Sequence, residues 1–206
     1  MNFEEYLKQE YGLNEPIYAE EIQFEDYSRA WIYVQIKKLV DAGILKRFDN
    51  GIYYIPKKMF FGDTVLDPYK VVQKKYLSDG NNVYGYVSGL AFENSTGLTT
   101  QCPAILEVVT NNESSNVRDI KVGKQRVRAR KPRTGITKEN VNTLQFLDLM
   151  NIIEPKYFDE AAKFMFDRYI KNCGVTKNQV QQYAGLFPPK ALKNLIESGV
   201  LYELAQ

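Results

Sequence analysis

Two clusters of basic residues carry the chemistry this sequence offers. Lys124, Arg126, Arg128 and Arg130 alternate with Gln125, Val127, Ala129 and Lys131. In an extended strand, a spacing of two puts all four charges on one face. Such a face stays in water or meets an anionic partner, because burying unpaired charge is too costly. With Lys121, Lys131 and Arg133 it forms an expected basic surface for nucleic acid or another anionic partner. The other cluster lies earlier and holds Arg29, Lys37, Lys38, Lys46 and Arg47. Arg29 is the expected base reader, since a guanidinium grips guanine bidentately. Lys37, Lys38, Lys46 and Arg47 suit phosphates, which position a protein without reading sequence. Ser28, Trp31, Tyr33 and Asn50 complete the expected DNA contacts. Each lysine alone also fits a solvated helix face. Trp31 and Val34 fit either thymine methyls or packing under another domain or a second subunit.

The charge map sets these clusters apart. Residues 1–26 hold eight acids and one base, net −7, and residues 27–62 hold seven bases and two acids, net +5. Residues 63–116 come to −3, residues 117–138 to +8, and residues 139–206 to −1. The overall +2 therefore hides two basic segments in an otherwise acidic chain, the pattern of charge placed for a partner.

The sequence contains no histidine. That removes Ser-His and Cys-His catalysis, histidine general bases and most catalytic zinc sites. Cys102 and Cys173 have no metal-like spacing and read as two partly buried thiols in a reducing cytoplasm. No phosphate-cradling glycine loop is present. The only Glu-x-Lys, Glu154-Pro155-Lys156, has a proline at its centre and a helix-end setting, which speak against a catalytic strand. The expectation is a non-enzyme with no catalytic residues, no metal and no cofactor. No apolar run approaches a membrane span. The acidic, amphipathic start MNFEEYLKQE reads as neither signal nor transit peptide, so a cytoplasmic protein without membrane contact is expected.

The first cluster needs a helix and a hairpin to position it. Ser28 suits an N-cap. Ile32, Ile36, Leu39 and Val40 then share one helical face, leaving Tyr27, Ala30, Trp31, Val34, Lys37, Lys38 and Asp41 outward. Gly43 stands where a left-handed residue ends a helix. Asp49-Asn50-Gly51 separates Ile44-Leu45 from Ile52-Tyr53-Tyr54-Ile55, and Asn-Gly is a strong hairpin signal. A first helix over 2–11 and a short second helix from Pro16 to Ile22 complete a winged helix-turn-helix over residues 1–62. Residues 57–82 read as a connector containing a helix capped by Asp67-Pro68. Residues 63–206 form a mixed α/β domain, with strands around 83–111 and 117–131. Helices follow from Thr137, over 157–172 and from Pro188-Pro189. The fold class is α+β. One echo stands out, since IKKLVDAGIL (36–45) resembles LKNLIESGVL (192–201). It reads either as a second helix-turn-helix or as a common helix-stop-strand phrase.

Four phrases together resemble a known family. GIYYIP, GLTTQCPAILEVVTN, IKVGKQRVRARKP and ITKENVNTLQFLD look like AbiEi-type antitoxins over roughly residues 15–150. Gly97-Leu98-Thr99-Thr100-Gln101 with Pro103, and Thr110-Asn111, are the more specific parts. The last fifty residues carry no such phrase. The resemblance implies a DNA-binding transcriptional repressor and antitoxin of a type IV toxin–antitoxin (abortive infection) system. The winged helix would bind inverted repeats in its own promoter, with a homodimer on DNA. The second domain would oppose an AbiEii-type nucleotidyltransferase toxin without requiring a stable complex with it. The alternatives are a winged-helix protein–protein interaction module, set against the +5 charge of residues 27–62, and a nucleic-acid-processing enzyme, set against the missing catalytic clusters.

Overall fold

The computed structural model describes residues 1–154 and 158–204. The fold is α+β, in two compact units. One comprises Met1–Lys74 with Val122–Lys124, and the other Lys75–Lys121 with the described residues from Gln125 on. The main division therefore falls after Lys74, whereas the sequence suggests a boundary after residue 62.

In the first unit, α1 spans Phe3–Tyr11 and begins with a capping box. Asn2 accepts the amide of Glu5, and the Glu5 carboxylate accepts the amide of Asn2. Gly12 ends it at φ +79°. The short second helix expected from Pro16 to Ile22 does not form. Ile17–Tyr18 is instead a strand, β1, and a turn follows it. The cause is long-range pairing. β1 lies antiparallel to β3 (Ile52–Tyr54), with Ile17 opposite Tyr53 and Tyr18 opposite Ile52. The amide of Ala19 then donates to the Gly51 carbonyl, and Ile17 and Tyr18 are both buried.

Helix α2 spans Arg29–Asp41, and its N-cap Ser28 accepts the amide of Trp31 at 3.3 Å. Ile32 and Ile36 are buried, and Leu39 and Val40 pack partly buried against the same core. That core is formed by Phe3, Leu7, Ile17, Ile22, Phe24, Leu45 and Ile55. Gly43 follows the helix at φ +72°. The first hairpin strand, β2, is Lys46–Asp49, so Ile44-Leu45 form the approach to it rather than the strand itself. β2 pairs with β3 around Asn50-Gly51, with a bulge between Arg47 and Asp49, and the sheet order is β1-β3-β2.

Residues expected only as a connector hold a second hairpin, made of β4 (Lys58–Met59) and β5 (Gly62–Asp63). Helix α3 (Pro68–Val72) follows, capped by Asp67, and continues as a π-helical turn over Gln73–Leu77.

The second unit holds a four-stranded sheet of β6 (Gly85–Ser88), β7 (Ile105–Thr110), β8 (Arg118–Val122) and β9 (Gln125–Arg130), ordered β6-β7-β9-β8. β6 runs antiparallel to β7, whereas β7 and β9 are parallel. Gly85 enters the sheet where a Cβ would collide with the Tyr76 carbonyl oxygen and lie 2.8 Å from that of Val109. Helix α4 (Gly89–Thr96) connects β6 towards β7 and ends at left-handed Gly97.

Helix α5 (Val141–Ile152) is the centre of this unit, against β6, α4, α7 (Lys177–Ala184) and α8 (Pro189–Glu197). Seven of its residues are buried, from Thr143 to Met150, as expected for a helix enclosed on all sides. Its N-cap position is Asn140 rather than Thr137, and the Asn140 side chain accepts the Thr137 amide. Helix α6 (Glu160–Cys173) packs through Ala162, Phe166 and Ile170, while Ala161 is exposed. Tyr157, expected to open it, lies outside the described residues, as do Pro155 and Lys156 of the Glu-x-Lys phrase. Glu154 pairs with Lys190 at 2.8 Å. The last described element is α9 (Val200–Glu203). The internal echo is thus a helix ended by a left-handed glycine in both copies, at Gly43 and Gly199. The chain then diverges into strand β2 in one copy and helix α9 in the other.

Candidate nucleic-acid interface

Helix α2 and the β2–β3 hairpin position the first basic cluster. Lys37 and Lys38 are exposed on α2 and form no ion pair among the described residues. Tyr33 and Val34 beside them are also about half exposed. Arg47 and Asn50 act together at the hairpin turn. Arg47 Nη2 donates to Asn50 Oδ1 at 3.0 Å, and its Nε donates to the Asp49 carbonyl at 3.3 Å. These bonds hold the Arg47 guanidinium, exposed, over the turn.

Three expected contact residues have work inside the unit. Arg29 Nη1 donates to the carbonyls of Ile22 at 2.9 Å and Ala19 at 3.2 Å, tying the start of α2 to the turn after β1. Trp31 stacks on Tyr27 with ring centroids 4.0 Å apart and also meets Phe24 and Phe3. Its ring partners among the described residues lie in its own unit. Lys46 pairs with Asp63 at 2.9 Å, fastening β5 to β2. That hydrogen bond holds the Asp63 carboxyl below its usual range and raises the Lys46 ammonium above its own.

On β9 the alternation is as expected. Val127 and Ala129 are buried, while Arg126, Arg128 and Arg130 point to the other face. Their charges are not equivalent. Arg126 is exposed with no ion pair among the described residues. Arg128 grips Asp119 of β8 bidentately, Nε to Oδ1 at 2.8 Å and Nη2 to Oδ2 at 3.1 Å, which holds the Asp119 carboxyl below its usual range. Arg130 turns inward to Asp148 of α5. Its Nη2 donates to Asp148 Oδ2 and, at 3.2 Å, to Ser88 Oγ. The Ser88 hydroxyl donates to Asp148 Oδ2 at 2.5 Å. An unpaired strip of four is therefore not what the fold presents, because Arg128 and Arg130 are neutralised by carboxylates. Lys121, Lys124 and Lys131 are exposed. Arg133 lies over the Phe187 ring, 5.2 Å from its centroid. An open groove of about 590 Å³ is lined by Asn116, Arg130, Lys131, Pro132, Arg133 and Leu186, so Lys131 and Arg133 give its mouth a positive charge.

Asp148 and Asp119 escape sequence reading because their partners are apart in the chain. One signal was present, since Asp148 is the only charged residue in the apolar run from Val141 to Ile152. The other missed feature is the Phe60-Phe61 pair at the tip of the β4–β5 hairpin.

Of the thiols, Cys102 is exposed and Cys173 half-buried, and both are free. Burial pushes the Cys173 thiol up. Among the described residues no cluster of His, Cys, Asp and Glu is arranged to hold a metal ion, and no helix is long and apolar enough to cross a membrane. No model of a known protein family matches the chain, and no curated protein matches it.

Proposed function

We propose that this chain is a DNA-binding transcriptional repressor whose first unit is a reduced winged helix. In it β1 and a turn replace the second helix. The observation that carries this reading is α2 followed at once by the β2–β3 hairpin, with Lys37, Lys38 and Arg47 exposed along them. A helix of this kind enters the major groove, and basic side chains around it meet phosphates. The phrases that resemble those of AbiEi-type antitoxins support a second role. On that reading the repressor binds inverted repeats of its own promoter as a homodimer, and the second unit counters a nucleotidyltransferase toxin. Lys131 and Arg133 at the groove mouth suit an anionic partner in that role.

The test is binding of the full chain to the DNA upstream of its own gene at two salt concentrations. A specific complex with a steep salt slope is expected. Lys37→Ala with Lys38→Ala lowers that slope by about one for each phosphate left without its lysine. No preference over random DNA removes the repressor reading. Co-expression with the neighbouring gene tests the antitoxin role, for which rescue of growth from a nucleotidyltransferase is the expected result.

A further inference from the structure

The β4–β5 hairpin is tied down at its base and bare at its tip. Lys57 and Thr64 close the base, the Lys57 amide donating to Thr64 Oγ1 at 2.9 Å and the Thr64 amide to the Lys57 carbonyl at 3.0 Å. Thr64 Oγ1 donates to Asn14 Oδ1 at 2.9 Å. Asp63 is held by Lys46 of β2, so this hairpin is fastened to the strand that leads into the Asn50-Gly51 turn. Met59 pairs with Gly62, which leaves Phe60 and Phe61 as the two turn residues. They are 95% and 98% exposed, and their rings meet edge to face with centroids 5.0 Å apart.

Two adjacent, almost fully exposed rings on a braced base make an apolar tip of the kind that marks an interaction site. The charge around them selects the occupant. Lys57 and Lys58 come just before Met59 and the two rings in the chain, both exposed and with no ion pair among the described residues. The one acid of the hairpin, Asp63, is already engaged by Lys46. A hairpin with two bare aromatic rings at its turn and two exposed lysines on its incoming strand matches the chemistry of a duplex, with stacked bases between rails of phosphate. Apolar side chains inserted between base pairs unstack a step and kink the helix, while nearby cations hold the phosphates.

We infer that Phe60 and Phe61 are a wedge that enters a base step of double-stranded DNA, with Lys57 and Lys58 on the flanking phosphates. The inference rests on the DNA-binding reading above and adds a second element of contact to it, one that deforms the duplex.

The experiment compares the full chain with Phe60→Ala/Phe61→Ala in two assays. The first is affinity for a short duplex of mixed sequence. The second is relaxation of a closed-circular plasmid by topoisomerase in the presence of the protein, which records unwinding at any site. Both positions are fully exposed, and a thermal melt checks that the variant folds. The wild-type chain is expected to leave the plasmid at a lowered linking number after deproteinisation. The variant leaves it at the protein-free value and binds the duplex about tenfold more weakly, as loss of aromatic stacking on bases does. Salt-dependent binding with no change in linking number, or an equal change with the variant, overturns the wedge and leaves the repressor reading standing. No binding by the wild-type chain removes both. Two other results also overturn the wedge. One is a dimer in sedimentation that the variant dissolves without effect on DNA. The other is binding to phosphatidylglycerol vesicles that the variant alone abolishes.

Discussion

Arg130 reaches from β9 to the carboxylate of Asp148 on α5, a side chain only 2% exposed. The guanidinium side of the pair is 22% exposed, so the ion pair joins the buried helix to the edge of the basic groove. Ser88 at the end of β6 shares the same carboxylate oxygen. Three elements that are separate in the chain are thereby fixed around one charge.

Asp148→Ala removes the partner of a mostly buried guanidinium and is expected to destabilise the chain by about 3 kcal/mol. Denaturant unfolding of the purified variant measures it. The double variant Arg130→Met/Asp148→Leu is expected to recover most of that loss, because a well-packed apolar pair is often as stable as a buried ion pair. A double variant no more stable than Asp148→Ala shows that geometry rather than charge holds this corner.

Arg29→Ala breaks two hydrogen bonds from one guanidinium nitrogen to backbone carbonyls. The expected outcome is a loss of about 1 kcal/mol in stability, read by thermal unfolding. On the repressor reading, a loosened α2 is then expected to bind all DNA more weakly. Unchanged stability with relaxed base preference at one operator position restores Arg29 to base reading.

The second basic surface divides by residue. Arg126→Glu reverses a charge with no internal partner and is expected to leave folding within about 0.5 kcal/mol of wild type while weakening the hold on an anionic partner or toxin neutralisation. Arg128→Glu sets a second carboxylate against Asp119, so it lowers stability as well as function. Circular dichroism melts alongside a neutralisation assay separate the two effects.

The Lys46–Asp63 link gives the second hairpin a pH dependence. The Asp63 carboxyl lies below its ordinary 3.8 in the folded chain. A depressed carboxylate contributes stability above its unfolded value and loses it as pH falls through the folded one. The hairpin base is therefore expected to stay clasped at neutral and mildly acidic pH and to release only below about pH 3.8. The Asp63 side-chain carbon resonance, followed by NMR during an acid titration, reports the midpoint. A midpoint above 3.8 means the clasp is not made in solution.

Local signals were the legible part. Ser28 acts through its own hydroxyl on an amide three residues on, Gly43 and Asn50-Gly51 act through their own backbone, and each does what its type suggests. The period of two across β9 was readable because Val127 and Ala129 face the core in alternation with arginines. What was not readable depends on residues brought together from afar. Pro16 to Ile22 has the acids of a helix start, yet pairing with Ile52 and Tyr53 draws Ile17 and Tyr18 into a strand. Arg130 meets a carboxylate eighteen residues further along, and Arg128 one nine residues back. The β4–β5 hairpin has strands of two residues, too short for any periodicity to show.

Gly85 leaves no room between the carbonyl oxygens of Tyr76 and Val109. A side chain there has to push the π-helical turn and the β7 edge apart. Drift at this position is closed while the sheet stays as it is, so a glycine at residue 85 is expected to persist where the surface changes. Distant kin with diverged surfaces are then better sought by that glycine, set between the Tyr76 segment and the Val109 strand, than by the lysines and arginines that first draw the eye.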